Sequence, residues 1–385
     1  MKITFVISSL SSGGAEKVLT IMANSWSAAG HDITVVTFSS PENDFFPLGK
    51  NIQRISLNCL SDSKNIFQAA YSNIIRLAKL HHTLHKLQSR VTISFIDKTN
   101  IMVLLASTCT NQKIIVTEHT DPARQSIGKG WSLLRRLVYP FSAAVIVLSD
   151  QIKDWTIQAV DDKSVFLPKI KEKLWVMPNP IDFEAIQAES REKLPEEIIE
   201  IIKKKKTVFT QIARLSSEKD PSLLIEACHI LQESYKDFAV FFIGQGPLFK
   251  DIQKQIIEKK LENTIFLLGE KTNPYPYMAA ARSVLLTSSI EGFGMVLAEA
   301  ILCGAVPVST DGIGPRNILV NGQFGLLVPA HEPHQFAKAM FRIATDDELY
   351  HQLKKGAAES IQRFNKTLIL EDWERLINKV LTGKN

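Results

Sequence analysis

Two pairs of charged residues have the types and spacing of a site for a phosphorylated ligand. Arg214 and Lys219 stand five residues apart in Arg214-Leu215-Ser216-Ser217-Glu218-Lys219, just beyond the apolar run at 207–212. Glu291 and Glu299 stand eight apart, with Gly292-Phe293-Gly294 between them and an apolar helical pattern starting at Met295 and Val296. A guanidinium and an ammonium can neutralise a diphosphate without a metal ion. Backbone amides at residues 292–295, where a helix opens, suit an anion or a hydroxyl. The glutamates can accept hydrogen bonds from sugar or ribose hydroxyls, more tightly than a neutral carbonyl does.

Other loops invite the same question. Ser11-Ser12-Gly13-Gly14-Ala15-Glu16 follows the run at 3–8 and precedes an amphipathic pattern with Val18, Leu19 and Met22. Glycines at a strand-to-helix turn let the backbone approach a ligand, and a helix N-terminus favours negative charge. Either an anion or sugar site or a plain tight turn satisfies this pattern. Gly244-Gln245-Gly246-Pro247 also lies between a strand run and a helical pattern, but Phe249 stands where a dinucleotide fingerprint needs Gly, and no acid closes the next strand at 266–268. It reads as a structural turn, and an oxidoreductase of the dinucleotide class lacks its fingerprint here. His119, after the run at 114–118, reads either as a satisfied polar residue or as a neutral group donating a hydrogen bond to a sugar, not as a general base.

The elements that must position these residues are legible as short β-branched runs. They occur at 3–8, 33–38, 91–95, 114–118 and 144–148, and again at 207–212, 239–243, 264–268, 284–288 and 306–309, with helical patterns between. Strand, helix, strand at this spacing means right-handed crossovers and parallel sheets covered on both faces. The fold class is therefore α/β, with two Rossmann-like doubly wound domains facing a cleft. Met177-Pro178-Asn179-Pro180-Ile181-Asp182 is the linker, since two prolines stiffen it and remove two donors. The domains are expected at 1–180 and 181–366, with a last helix from 367 to 385 crossing back to the first. The charged stretch 189–206 is expected to be a solvated helix and loop.

The 385 residues, 45% of them hydrophobic, are too many for one ordinary core and too apolar for disorder. No apolar run approaches the roughly 20 residues a membrane-spanning helix needs. The short run at 3–8, ending in Ser and Gly, reads as a first strand and not a signal peptide. Cys59, Cys109, Cys228 and Cys303 are too scattered for a zinc site or disulfide framework, so they are expected to be reduced, mostly buried thiols in a cytoplasmic protein. Residues 1–180 hold 20 Lys and Arg against 13 Asp and Glu, and residues 181–385 hold 25 against 27. The first half is thus suited to an anionic partner. Lys203 to Lys206, without interleaved aromatics, are not read as a nucleic-acid site.

Segment 71–90 contains no acid. On a helix Leu77, Leu80, Leu84 and Leu87 form one stripe, and Arg76, Lys79, Lys86 and Arg90 the next. His81, His82 and His85 fall towards the remaining face and have no second set of metal ligands. A covering helix with a solvated basic side is one reading. The favoured one is a helix against anionic lipid, where each basic residue gains about 1 kcal/mol.

Taken together, Gly-Gly-Ala-Glu after the first strand, Arg-x4-Lys and Glu-Gly-Phe-Gly-x4-Glu resemble the retaining nucleotide-sugar glycosyltransferases of family 4, which have the two-domain GT-B fold. The resemblance runs from Lys2 to about Leu381. Ser94-Phe95, Thr99-Asn100, Glu118-His119, Asn273-Pro274-Tyr275 and Tyr277-Met278 look like the bacterial members that extend lipid-diphosphate-linked oligosaccharides with N-acetylhexosamines. It implies a metal-independent hexosyltransferase with no cofactor and a UDP-sugar as co-substrate. Arg214 and Lys219 would hold the donor diphosphate, with Glu291 and His119 at the reacting sugar. Gly244, Phe293, Gly294, Met295, Val296 and Glu299 would line the donor side, Glu299 at the ribose. Gly13, Gly14, Glu16, Thr99 and Asn100 would face the diphosphate and acceptor. The implied acceptor is a lipid-linked or lipopolysaccharide glycan at the inner face of the plasma membrane. Asn317 stands where many relatives carry Glu, which leaves a non-catalytic glycan-binding protein on the same fold as the alternative.

Overall fold

A computed structural model describes residues 1–60, 66–108, 110–120, 126–161 and 169–383; Cys109 lies outside them. The chain forms two compact units, one of Met1–Pro180 with Lys366–Asn385 and one of Ile181–Asn365.

In the first unit, β1 (Lys2–Ile7), β2 (Asp32–Thr37), β3 (Gln53–Ser56), β4 (Val91–Phe95), β5 (Lys113–Thr117), β6 (Ala144–Val147) and β7 (Leu174–Val176) form one parallel sheet in the order β3-β2-β1-β4-β5-β6-β7. β1 lies in its interior, where Ile3, Phe5, Val6 and Ile7 are fully buried, as a strand covered on both faces requires. Helices α1 (Gly14–Ala28), α2 (Ile66–Leu87), α3 (Asp97–Ala106), α4 (Lys129–Val138) and α5 (Asp150–Asp161) connect the strands. The strand order reverses at β1 and β4, so the loops leaving their carboxyl ends diverge and open a crevice. The loop after β1 carries Gly13, and Thr99 lies in the first turn of α3. Trp26 of α1 stacks on Phe5 and meets Trp373 edge-on at 6.3 Å, which seats the C-terminal helix (Lys366–Thr382) in this unit.

In the second unit, β8 (Thr207–Ile212), β9 (Phe238–Ile243), β10 (Ile265–Gly269), β11 (Ser283–Leu286), β12 (Val306–Thr310) and β13 (Leu326–Val328) form a parallel sheet in the order β10-β9-β8-β11-β12-β13. Here the reversal falls at β8 and β11. The helices are α6 (Phe183–Glu189), α7 (Glu196–Lys204), α8 (Pro221–Ser234), α9 (Phe249–Glu258), α10 (Tyr275–Ala280), α11 (Met295–Leu302), α12 (Ile313–Ile318), α13 (Pro333–Thr345), α14 (Asp347–Lys354) and α15 (Ala357–Ser360). Phe209, Leu224, Phe238, Val240, Phe336 and Met340 share the main core. The stretch expected to be merely solvated contributes a second one: Ile198 of α7 is buried with Val208, Phe241 and Ile243, while Lys203 on the other face bonds Glu200. The two ends of the unit are tied together, Ile181 donating its amide to the Phe364 carbonyl at 2.8 Å.

Helix α2 buries Leu80, Leu84 and Leu87, as its apolar stripe requires. Its basic stripe is partly engaged within the protein, while Lys86 and Arg90 are exposed. Arg76 Nε donates to the Cys59 carbonyl and Lys79 Nζ to the Leu57 carbonyl, both at 2.9 Å, so these two cations satisfy backbone beyond β3. Cys228 is buried, whereas Cys59 and Cys303 are half-buried thiols.

Candidate functional site

The residues with the sharpest chemistry meet at the strand reversal of the second unit. The loop after β8 carries Arg214 and Lys219, and the loop after β11 carries Glu291. Lys219 Nζ lies 2.7 Å from Glu291 Oε2, with both side chains partly shielded from solvent. The loops are laced together beneath this pair. Ser289 donates through its amide and hydroxyl to the Glu218 carbonyl, Thr287 Oγ1 donates to the Lys219 carbonyl at 2.8 Å, and Gln211 Nε2 donates to Thr287 Oγ1. Arg214 is exposed. Burial opposes ionisation of Glu218, but the hydrogen bond from Ser216 at 2.6 Å and the charges of Lys219 and Arg214 outweigh it and hold this carboxyl below its usual range.

Two glycines support this arrangement from behind. A Cβ on Gly244 would lie 2.0 Å from the Ala213 carbonyl oxygen, and one on Gly246 2.3 Å from that of Leu215. The β9–α9 turn therefore rests directly on the backbone that presents Arg214. Gly244 also donates its amide to the Gly269 carbonyl, so it enters the site as support, with no amide left for a ligand. On the other side, a Cβ on Gly314 would lie 2.5 Å from the Phe293 carbonyl oxygen. The turn after β12 is thereby pressed against Gly292-Phe293-Gly294.

Gly294, with φ of +87°, caps α11 in the left-handed conformation that glycine tolerates. No side chain caps this helix, so the amides of its first turn are directed at whatever ligand approaches. Phe293 and Met295 are buried, and Val296 is half-buried. Phe293 packs edge-on against Phe364 at 5.2 Å. Glu299 lies deeper, 5% exposed; burial and this neighbouring carboxylate push the Tyr275 phenol up. Asn317 receives Arg363 on its carbonyl at 2.6 Å and on Oδ1 at 3.3 Å, while Asp311 is held by Arg316 in a two-point ion pair.

In the first unit, Gly13 and Gly14 sit at the strand reversal, but the Glu16 side chain folds back over them. Its Oε2 lies 2.1 Å from where a Cβ on Gly13 would be. A carboxylate thus occupies the positive end of α1, which suits sugar hydroxyls and disfavours phosphate. Thr99 is buried. Asn100 corrects an expectation: it is 0% exposed and its polar atoms are consumed within the protein. Its Oδ1 accepts from Ser94, and its Nδ2 donates to the Thr117 carbonyl and to Tyr139. It positions backbone and does not face a ligand.

His119 stacks on Phe95 with ring centroids 5.0 Å apart, and burial pushes its pKa down to about 3, so it is neutral. Thr117 Oγ1 spends its proton on the Ser94 carbonyl, so it accepts from His119 Nε2 at 3.0 Å. Nδ1 is then a bare lone pair, with no partner among the described residues. This reverses the sequence expectation: His119 is built to accept a hydrogen bond, not to donate one. The ring lines a narrow cavity with Thr117, Leu148 and Asn179. Its neighbour Glu118 was missed as a chemical group. It is buried, bonded to the Tyr139 hydroxyl, and raised to about 7 by that burial against the pull of Arg135.

Comparison with known proteins fits this geometry. Residues 12–185 match Glycosyltransferase Family 4, and residues 194–360 match Glycosyl transferases group 1. A Campylobacter jejuni protein named GalNAc-alpha-(1->4)-GalNAc-alpha-(1->3)-diNAcBac-PP-undecaprenol alpha-1,4-N-acetyl-D-galactosaminyltransferase is 27% identical over 99% of both chains. A second from the same organism, an N-acetylgalactosamine-N,N'-diacetylbacillosaminyl-diphospho-undecaprenol 4-alpha-N-acetylgalactosaminyltransferase, is 25% identical over 96% of this chain and 98% of its own. Among solved structures, Anabaena Alr3699/HepE with UDP and glucose superposes with a TM-score of 0.78 at 20% identity, covering 98% of this chain and all of that one. The likeness is to the GT-B fold.

Proposed function

This chain is a glycosyltransferase that joins a Family 4 domain to a group 1 domain, and from that premise we propose that it transfers an N-acetylhexosamine from a UDP-sugar to a lipid-linked or lipopolysaccharide-type glycan. Transfer proceeds with retention at the sugar carbon and without a metal ion or cofactor. The observation that carries the reading is the meeting of Lys219 and Glu291 at the reversal of the second sheet, beside Arg214 and the uncapped start of α11. A diphosphate arriving there exchanges Glu291 for phosphate oxygens on Lys219, and Glu291 turns to the sugar hydroxyls. The amides of residues 293–296 add neutralisation on the leaving side, and Glu299 takes the ribose. Charge stabilisation of the departing UDP is then the protein's main catalytic contribution.

The first unit takes the acceptor, through Gly13, Gly14 and Glu16, with Thr99 nearby and His119 accepting from a sugar hydroxyl. The Campylobacter relatives, named for undecaprenol-diphosphate glycans, favour a lipid-linked acceptor, and the Anabaena structure with UDP favours a uridine donor. No helix among the described residues is long and apolar enough to cross a membrane. A lipid-linked acceptor of the kind named for the Campylobacter relatives favours a peripheral protein on the cytoplasmic face. The test is a panel of UDP-sugars with lipid extract from the source cell as acceptor, read as UDP release and as the anomeric configuration of the product. Glycan binding without UDP release from any donor would instead establish the non-catalytic alternative.

A further inference from the structure

Buried polar residues at the carboxyl ends of β4 and β5 form one connected network. The Tyr139 hydroxyl donates to Glu118 Oε1 and accepts from Asn100 Nδ2, and all three side chains are almost wholly buried. Asn100 Nδ2 also donates to the Thr117 carbonyl at 2.8 Å, which receives the Ile96 amide at 3.2 Å as well. Asn100 Oδ1 accepts from Ser94 Oγ at 2.7 Å, and the Ser94 carbonyl accepts from the Thr117 hydroxyl at 2.9 Å, the hydroxyl that receives His119 Nε2. Bonds therefore run unbroken from Glu118 to its own neighbour His119, by way of β4, α3 and the turn Tyr139–Phe141.

Two features of this network work against stability. Glu118 Oε2 is buried with no partner among the described residues, which costs free energy. Ile96, a β-branched residue, sits at a φ of +73°, and such strain persists where surrounding bonds over-determine it. Here the Asn100 amide donates to the Ile96 carbonyl at 2.9 Å, so the network and the strained turn hold each other. Arg135 on α4 and Asp97 on α3 act on the Glu118 charge in opposite senses, and burial outweighs both. Charged or neutral, Oε1 can accept from Tyr139, so the site demands reach and not charge. The Glu118 amide is bonded to the Ile146 carbonyl at 2.9 Å. Successive side chains of an extended segment point to opposite faces, so pinning Glu118 on one face sets the direction in which His119 leaves on the other.

We infer that Glu118 is a positioning residue for the transfer: through Tyr139 and Asn100 it anchors the segment leaving β5, so that His119 keeps the angle at which Nδ1 can accept from the glycan. The inference rests on the role proposed for His119 and adds what holds the ring. Glu118 itself touches neither substrate, and its effect reaches the reaction through the orientation of its neighbour.

The experiment compares three variants of the full chain. Glu118→Gln keeps the length and an oxygen for Tyr139, Glu118→Asp keeps the acid but is one methylene too short, and Tyr139→Phe keeps the ring and removes the donor. The Gln variant is expected to match wild type in kcat/KM for the glycan acceptor. The Asp and Phe variants should each lose about tenfold or more, with the KM for donor unchanged in all three. A second readout does not depend on activity: the His119 signals in nitrogen-15 NMR of histidine-labelled protein, assigned with His119→Phe. In wild type and the Gln variant the ring should titrate far below its ordinary 6.5, and in the other two closer to it, as the ring is released from its buried seat. An Asp variant that matches wild type while the Gln variant fails overturns the inference, because charge and not reach would then matter. Earlier melting with unchanged acceptor kcat/KM and unchanged His119 titration also overturns it, since Glu118 would then serve stability alone. Absence of UDP release in wild type refutes the proposed function, and the His119 titration still decides whether Glu118 holds the ring.

Discussion

Lys219 Nζ and Glu291 Oε2 lie 2.7 Å apart although 72 residues separate them in the chain. Strands β8 and β11 are adjacent in the sheet, and both loops leave from carboxyl ends at the point of reversal. Topology, not local sequence, creates the pair.

Replacing Lys219 by Ala removes charge-assisted bonds to the departing diphosphate, each worth about 1.5 to 3 kcal/mol. The expected result is a fall in kcat/KM of about ten to a hundredfold or more, read from initial rates of UDP release. Full activity in this variant would show that the loop does not hold the donor.

Glu291→Gln separates two roles of the carboxylate. Without the competing charge, Lys219 is more available to phosphate, so UDP alone should bind several-fold more tightly in calorimetric titration. Transfer from the intact donor should nevertheless fall, because a sugar contact is weakened.

Gly244→Ala and Gly314→Ala test the supports. Each added methyl meets backbone, so the loop must shift, and Gly244 also has a φ of +145° that an L side chain rarely adopts. Overpacking of this kind costs about 1 to 3 kcal/mol. Both variants are expected to melt earlier and to raise the KM for donor, although neither methyl would touch the ligand.

Stability should depend on pH through two neighbours of opposite sign. Glu118, raised to about 7, favours the folded state at low pH and loses that advantage as pH climbs from its ordinary value of 4.5 through 7. His119, lowered to about 3, stabilises fully above its ordinary 6.5 and loses that as pH falls towards 3. Between 4.5 and 6.5 the two oppose each other. Glu118→Gln removes one, so its melting temperature should rise with pH across this window more steeply than that of wild type.

His119→Phe keeps a ring against Phe95 and removes the lone pair on Nδ1. It should fold normally by near-ultraviolet circular dichroism while kcat/KM falls about tenfold or more. His119→Lys, which could only donate, should do no better.

The central strands were readable because a strand buried on both faces must be a continuous apolar run, and each such run was placed within two residues at either end. Gln53–Ser56, Leu174–Val176 and Leu326–Val328 were not, since each is a short strand at a sheet edge with little apolar signal. Lys219 and Glu291, singled out by residue type and spacing, do come together. Asn100 was misread because its partners, Thr117 and Tyr139, lie 17 and 39 residues away, and only the fold reveals that they exhaust it. The supporting roles of Gly244 and Gly314 were hidden for the same reason, since a forbidden methyl is defined by distant backbone. The tautomer of His119 depended on where the Thr117 hydroxyl spends its proton.

The hydrogen bond from Ile181 to Phe364 makes the second unit a continuous segment whose two ends adjoin. Such a segment can be exchanged between related genes by recombination at two sites, with its strand order and charged loops travelling together. Donor preference could then be inherited as one cassette, while the surrounding sequence kept its own acceptor.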